Sequence, residues 1–259
     1  MGYLAEEYVV GEMLQIYQEV PDDGVLQVLD QLVQLAATSL KNPDILKVWD
    51  NAAMNALLAQ GRTIAKIDGR LNTMKDLYPK LTSQIDKMLA KTNLIFGDFK
   101  RFMDLRKSTS DRQVLCHGDM WTPNVLWQRN VNGSVDLAAI LDWQLLNVGS
   151  PTEDLVYFLH SALSPETYPK KKNDYLHYYY DNLKQSVTNL PMPWSNLENF
   201  IQQYEVSYTY CIMVLMPWYT TAKEQLLGTY INNPSFVDAF DEKIKFMTNE
   251  TIRCINKWF

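Results

Sequence analysis

The sequence predicts a mainly α domain around one small β-hairpin, an α+β class. Three observations predict it. Apolar residues recur at helical spacing over long stretches on both sides of the middle of the chain. Runs of β type are confined to the segment between Gln113 and Trp143. No internal repeat, linker or low-complexity tract divides the 259 residues, so one core serves them all.

Taken in order, the first helix is predicted over Gly24 to Leu40, where Val25, Val28, Leu29, Leu32, Val33, Ala36 and Leu40 share a face. Asp22 or Asp23, after Pro21, is its expected cap. Leu81 to Leu105 repeats the pattern through Ile85, Met88, Ile95, Phe99 and Phe102 and predicts one long helix. Three short β-type runs follow, Val114 to Cys116, Val125 to Trp127 and Leu137 to Leu141. Asn132-Gly133 between the last two signals a hairpin turn in a loop longer than two residues. Ser150-Pro151-Thr152-Glu153 then combines a capping Ser, a Pro at the first helical position and a Glu three residues after the cap. Further helices are predicted at about Asp174 to Val187, Ser195 to Met216 and Ser235 to Trp258.

Composition removes several classes of function. Lys and Arg number 24 against 30 Asp and Glu, a net charge of -6, so the chain lacks the basic footprint a phosphate backbone needs. Nucleic acid is not an expected partner. Cys116, Cys211 and Cys254 are odd in number and far apart, which fits neither a disulfide framework nor a paired-cysteine zinc site and points to a reducing cytoplasm. The amino terminus shows neither a secretory nor a myristoylation pattern. The most apolar stretch, Val206 to Trp218, is interrupted by polar residues and too short for a bilayer, so no membrane partner is expected. The sequons at Asn132 and Asn249 are read as chance matches.

The chemistry is concentrated in Val114-Leu-Cys-His117-Gly118-Asp119-Met-Trp-Thr-Pro-Asn124-Val-Leu-Trp127 and Ala138-Ala-Ile-Leu-Asp142-Trp143-Gln144. Phosphoryl transfer from ATP needs a carboxylate near the acceptor hydroxyl and hard oxygen ligands for magnesium. Asp119 precedes Asn124 by five residues, so a loop leaving one strand and entering the next can aim both at one point. Asp142, at the end of the partner strand, arrives as a second metal ligand. On the bland alternative, Asp119 and Asn124 are turn residues and Asp142 caps a strand.

These residues resemble the choline kinase and aminoglycoside phosphotransferase superfamily, and within it the CHK kinase-like group of nematodes and insects. The resemblance rests on His117-Gly-Asp-Met-Trp-Thr-Pro-Asn-Val-Leu-Trp127, on Ile140-Leu-Asp-Trp-Gln144 and on Gly149-Ser-Pro-Thr-Glu-Asp-Leu155. It implies Asp119 as catalytic base, Asn124 and Asp142 as magnesium ligands and Asp154 as a brace for the catalytic loop. It also implies ATP as donor and a small hydroxylated or amino acceptor, since Trp121 and Asp142-Trp143-Gln144 replace the Lys and Asp-Phe-Gly of protein kinases. Gly2 to Val9 looks like the hinge that meets adenine, with the backbone near Glu7 and Val9 in contact. Residues 1–10 are thus expected as a hinge strand and 11–259 as the helical C-terminal lobe of the protein-kinase-like fold. The N-terminal lobe, with its glycine-rich phosphate loop, is missing from this chain, since no Gly-x-Gly precedes Asp119. That lobe would be a partner of this one.

Other features receive structural readings. His117, directly after a strand, is expected to be a packed, hydrogen-bonded support for the site rather than a general base. His160 and His177 stand alone, Cys116 is read as inert, and Lys66 as a solvated helix lysine rather than a phosphate lysine. Tyr175, Tyr178, Tyr179, Tyr180, Tyr204 and Tyr208 are assigned to packing rather than to an aromatic wall for an ammonium group. Lys170-Lys171-Lys172 is expected as a solvated loop. Two functions fit: an ATP-dependent small-molecule phosphotransferase, and a non-catalytic kinase-like lobe acting as a binding or regulatory module.

Overall fold

The computed structural model describes residues 9–49, 51–131 and 133–259, without the side chain of Ala53. A two-residue strand β1 (Glu12–Met13) leads into four helices, α1 (Asp22–Lys41), α2 (Asp44–Val48), α3 (Ala52–Gly61) and α4 (Ile64–Leu77). Helices α5 (Thr82–Phe96) and α6 (Phe99–Ser108) precede strands β2 (Val114–Cys116), β3 (Val125–Arg129), β4 (Val135–Ile140) and β5 (Asn147–Gly149). The remainder is helical: α7 (Pro151–Ala162), α8 (Tyr168–Ser186), α9 (Leu197–Thr221), α10 (Lys223–Leu227) and α11 (Pro234–Trp258). The mainly α reading with a small hairpin therefore holds.

Helix α7 lies at the centre, with all twelve of its residues buried. It is covered by α9 on one side and by α1 and α8 on another. Such a helix reads as apolar all round except where polar side chains find partners. Ser161, Thr152 and His160 do so within the core.

Several boundaries differ from expectation, each for a local reason. Pro21, not Asp22 or Asp23, occupies the position before α1, and Asp22 turns away to accept hydrogen bonds from Lys171 and Tyr175. The long helix expected over Leu81 to Leu105 is two, because at Asp98 the chain turns extended and Asp98 Oδ1 accepts from the Arg101 amide at 2.7 Å. Helix α8 begins at Tyr168, so the three lysines are helical rather than a loop, and Lys172 is buried near Glu205 and Glu250. Helix α9 runs through Pro217 to Thr221; Thr220 and Thr221 hydroxyls bond the Pro217 carbonyl in its last turn. Residues 1–8 of the expected hinge strand, Glu7 among them, lie outside the described residues. Val9 and Val10 are in no strand, and pairing starts at Glu12.

The sheets matter most for function. β1, β3 and β4 form one antiparallel sheet and β2 and β5 another. Cys116 faces Asn147 across β2 and β5, while Val125 faces Ile140 across β3 and β4. The two segments joining these ladders, 117–124 and 141–146, are therefore gripped at both ends by strand pairing. They carry Asp119 and Asn124 on one and Asp142 on the other. Gly133 takes φ 88° in the hairpin loop, whose neighbour Asn132 lies outside the described residues.

Candidate functional site

The first loop departs from β2 through His117-Gly118. Gly118 has φ 84°, and a Cβ there would lie 2.2 Å from the Leu145 carbonyl oxygen, so only glycine allows the two loops to pass this closely. The backbone N–H groups of His117 and Gly118 donate to the two carboxylate oxygens of Asp154 at 2.7 and 2.9 Å. Asp154 stands in the first turn of α7, and Ser150 caps that helix with Pro151 at its first position. The helix start thus fixes the direction in which the chain leaves β2.

His117 ties the two loops together. Its Nε2 donates to the Leu141 carbonyl at 2.7 Å and its Nδ1 accepts from the Asp119 amide at 3.2 Å. Burial lowers its pKa, and this bonding pattern needs the neutral ring. The Asp119 carboxylate accepts from Asn124 Nδ2 at 3.1 Å, and the same amide nitrogen reaches the Asp119 carbonyl at 2.8 Å. Burial raises the Asp119 pKa, and the nearby Asp142 carboxylate adds to the rise against the Asn124 hydrogen bond. Asp142 is exposed in the left-handed conformation, φ 60°, ψ 58°. Leu141 N–H to the Asn124 carbonyl at 2.8 Å and Trp143 Nε1 to the Ile140 carbonyl at 3.0 Å pin it on either side.

Beneath the loops lies a buried ion pair. Arg106 donates to both oxygens of Glu153 at 2.5 and 2.8 Å and to Asn147 Oδ1 at 2.9 Å. Tyr210 adds a hydrogen bond to Glu153 Oε1 at 2.8 Å. Burial alone would raise the Glu153 pKa, but Arg106 outweighs it and holds the carboxyl below its ordinary value. Ser150 caps α7 as expected, its Oγ accepting from the Thr152 amide, whereas Glu153 turns to Arg106 rather than back to the cap.

Asp119 faces a cleft with two ends. One, of about 330 Å³, is walled by Trp121, Trp218 and Tyr219; the other, of about 200 Å³, by Arg62, Arg70 and Gly118. Leu57, Tyr157 and Leu215 border both. Tyr219 stacks on Trp121 with ring centres 5.8 Å apart, and its hydroxyl is 3.0 Å from His160 Nε2. His160, pushed down to about 3 by burial, is thus a neutral support for that wall. Sequence reasoning missed Arg62, Tyr157, Trp218 and Tyr219, because nothing local marks a residue some forty to a hundred positions away from Asp119.

The structure brings Asp119, Asn124, Asp142, His117 and Asp154 together. Val9 is half-buried and does not line the Asp119 cleft; Glu7 is outside the described residues. Cys116 is buried, with its thiol pushed well up by burial. Lys66 is exposed on α4, bonded to the Gln60 carbonyl at 2.6 Å. Tyr175, Tyr179, Tyr180, Tyr204 and Tyr208 are buried packing residues, while Tyr178 is partly exposed and bonded to Asp30. Among the described residues no group of three His, Cys, Asp or Glu could hold a metal by itself, and no helix is long and apolar enough to cross a membrane.

A protein-family model described as "Uncharacterized oxidoreductase dhs-27" matches residues 1–255. The Caenorhabditis elegans protein of that name is 27% identical over 141 residues, 51% of this chain and 17% of the relative. The "Uncharacterized kinase-like protein D1044.1" of the same organism is 31% identical over 107 residues, 38% of this chain and 28% of the relative. The chain thus matches well under a third of the length of either. Choline kinase from Cryptosporidium parvum Iowa II superposes with a TM-score of 0.54 at 18% identity, over 97% of this chain and 73% of that one. This chain belongs to the family described as "Uncharacterized oxidoreductase dhs-27", and its fold is the kinase-like fold of choline kinase.

Proposed function

We propose that this chain is the large, C-terminal lobe of an ATP- and magnesium-dependent phosphotransferase acting on a small hydroxylated acceptor. The observation that carries the reading is the Asp119 carboxylate, oriented by Asn124, raised in pKa and facing a cleft of ligand size. In that role Asp119 takes the proton of the acceptor hydroxyl while its oxygen forms the new bond to phosphorus and the bond to the nucleoside diphosphate breaks. A base whose pKa is raised toward neutrality is better matched to this transfer than an ordinary carboxylate.

Asn124 and Asp142 suit magnesium rather than a metal held by protein alone. Magnesium is bound by one or two carboxylates together with substrate phosphates. Asn124 spends its amide nitrogen on Asp119, leaving its carbonyl oxygen for a cation, and among the described residues the exposed Asp142 carboxylate accepts only from Gln144 Nε2, at 3.2 Å. Bound there, the metal would neutralise charge on the phosphates. The backbone near Glu7 and Val9 is assigned to adenine. Exposed Met13 and Trp143 offer apolar surface to a phosphate-covering lobe.

The oxidoreductase name belongs to a relative of which this chain matches 17%. The same exposed apolar surface also favours a second reading, a kinase-like lobe that binds a partner without turnover.

The test is Asp119→Ala in the protein that contains this chain, assayed for ATP consumption with a panel of small alcohols and for magnesium-dependent ATP binding. Turnover should fall by about 10³-fold or more with ATP affinity within about twofold of wild type. Undiminished turnover would remove Asp119 as the base. Absence of magnesium-dependent nucleotide binding by the wild type would favour the non-catalytic reading.

A further inference from the structure

The cleft at Asp119 holds a buried guanidinium donor that no hydrogen-bond acceptor among the described residues meets. Arg62, at the C-terminal end of α3, spends Nη2 on the Tyr157 hydroxyl at 3.1 Å and rests over the Phe102 ring at 5.2 Å. Its Nη1 is buried and has no hydrogen-bond partner among the described residues. No carboxylate lies within ion-pair distance of Arg62 or Arg70 among them. Glu153 borders the same end of the cleft, but both of its oxygens are committed to Arg106 and one also to Tyr210. That leaves Arg62 and Arg70 without an ion-pair contact in the cleft, Glu153 acting on Arg62 only through longer-range attraction. An unpaired buried donor on a cation is costly unless a ligand completes it.

The opposite end is aromatic, formed by Trp121 with Tyr219 stacked on it and Trp218 set edge-on, and Trp218 is partly exposed. Resting on the phosphotransferase reading, we infer that the acceptor is a hydroxylated carboxylate with an apolar body. Its carboxylate meets Arg62 and Arg70, its body lies against Trp121 and Trp218, and its hydroxyl reaches Asp119 between them. The planar fork of a guanidinium matches a carboxylate in geometry as well as charge. A cationic acceptor would instead meet two like charges.

Trp121 and Trp218 line the cleft, so binding is read by tryptophan fluorescence of the full chain without nucleotide. The probes are para-hydroxymethylbenzoate, its methyl ester and para-hydroxymethylbenzylamine. The benzoate should bind about tenfold or more tighter than the ester, and the amine weakest. Arg62→Gln should bring benzoate and ester within about twofold of each other, Arg62→Lys should keep part of the preference, and circular dichroism should show each variant folded. Arg70→Gln, at the same end of the cleft, serves if Arg62→Gln does not fold, and should weaken the preference. Ester or amine binding as tightly as the benzoate, no saturable benzoate binding, or an undiminished preference in a folded Gln variant would overturn the inference. Because no phosphoryl transfer is read, loss of the kinase reading would leave an observed carboxylate preference standing, and loss of the preference would leave turnover untouched.

Discussion

Asp154 shows how one side chain sets the geometry of a site it does not line. Its two oxygens accept the N–H groups of His117 and Gly118, while burial pushes its carboxyl up to about 7. The folded value lies above the ordinary 3.8, so between these values the native chain binds the proton more tightly than the unfolded one. Stability contributed by this group is complete below about pH 4 and is lost as pH rises through about 7. The unfolding free energy of wild type minus that of Asp154→Asn should therefore fall between about pH 4 and about pH 7 and level off above, followed by urea titration. A difference that is flat or rises across that interval would contradict this. Asp119, Asn124 and Asp142 were legible at this scale because each lies within a short run of fixed spacing. Glu153 was not: the spacing of a capping box also suits an inward carboxylate, and its partner Arg106 is 47 residues away.

At the scale of elements, the clearest lesson is the break between α5 and α6. Hydrophobic periodicity continues across it, since Ile95, Phe96 and Phe102 are all buried, so pattern alone joins the two helices. Cap chemistry separates them: Asp98, in extended conformation, satisfies the Arg101 amide. Asp98→Ala should cost about 1 kcal/mol in urea-induced unfolding, and no measurable change would show the cap to be dispensable. Strand β5, Asn-Val-Gly, carries no β signal of its own and exists because β2 offers it a ladder. The extension of α9 through Pro217 has the same character, a tertiary context overriding a local stop signal.

For the molecule as a whole, the Arg106 and Glu153 pair is the junction between layers. It links α6, β5, α7 and, through Tyr210, α9, directly under the loops that carry Asp119 and Asp142. Removing one charge of a buried pair leaves the other without compensation. Glu153→Gln should lower stability by about 3 kcal/mol, seen as a shifted denaturation midpoint with unchanged slope. A loss below about 1 kcal/mol would mean that the pair is replaceable by neutral hydrogen bonds.

By itself the sequence determined the class of fold, the hairpin, and the loop on which Asp119 and Asn124 stand, because helical period, β-type runs and a five-residue step are all local properties. Only the tertiary structure decided what surrounds Asp119. Trp218 and Tyr219 come from the end of α9, which packs on α7, and Arg62 from the end of α3, tied to α7 by its hydrogen bond to Tyr157. The physical reason is that burial and charge balance are sums over neighbours distant in sequence, and no window of consecutive residues contains them.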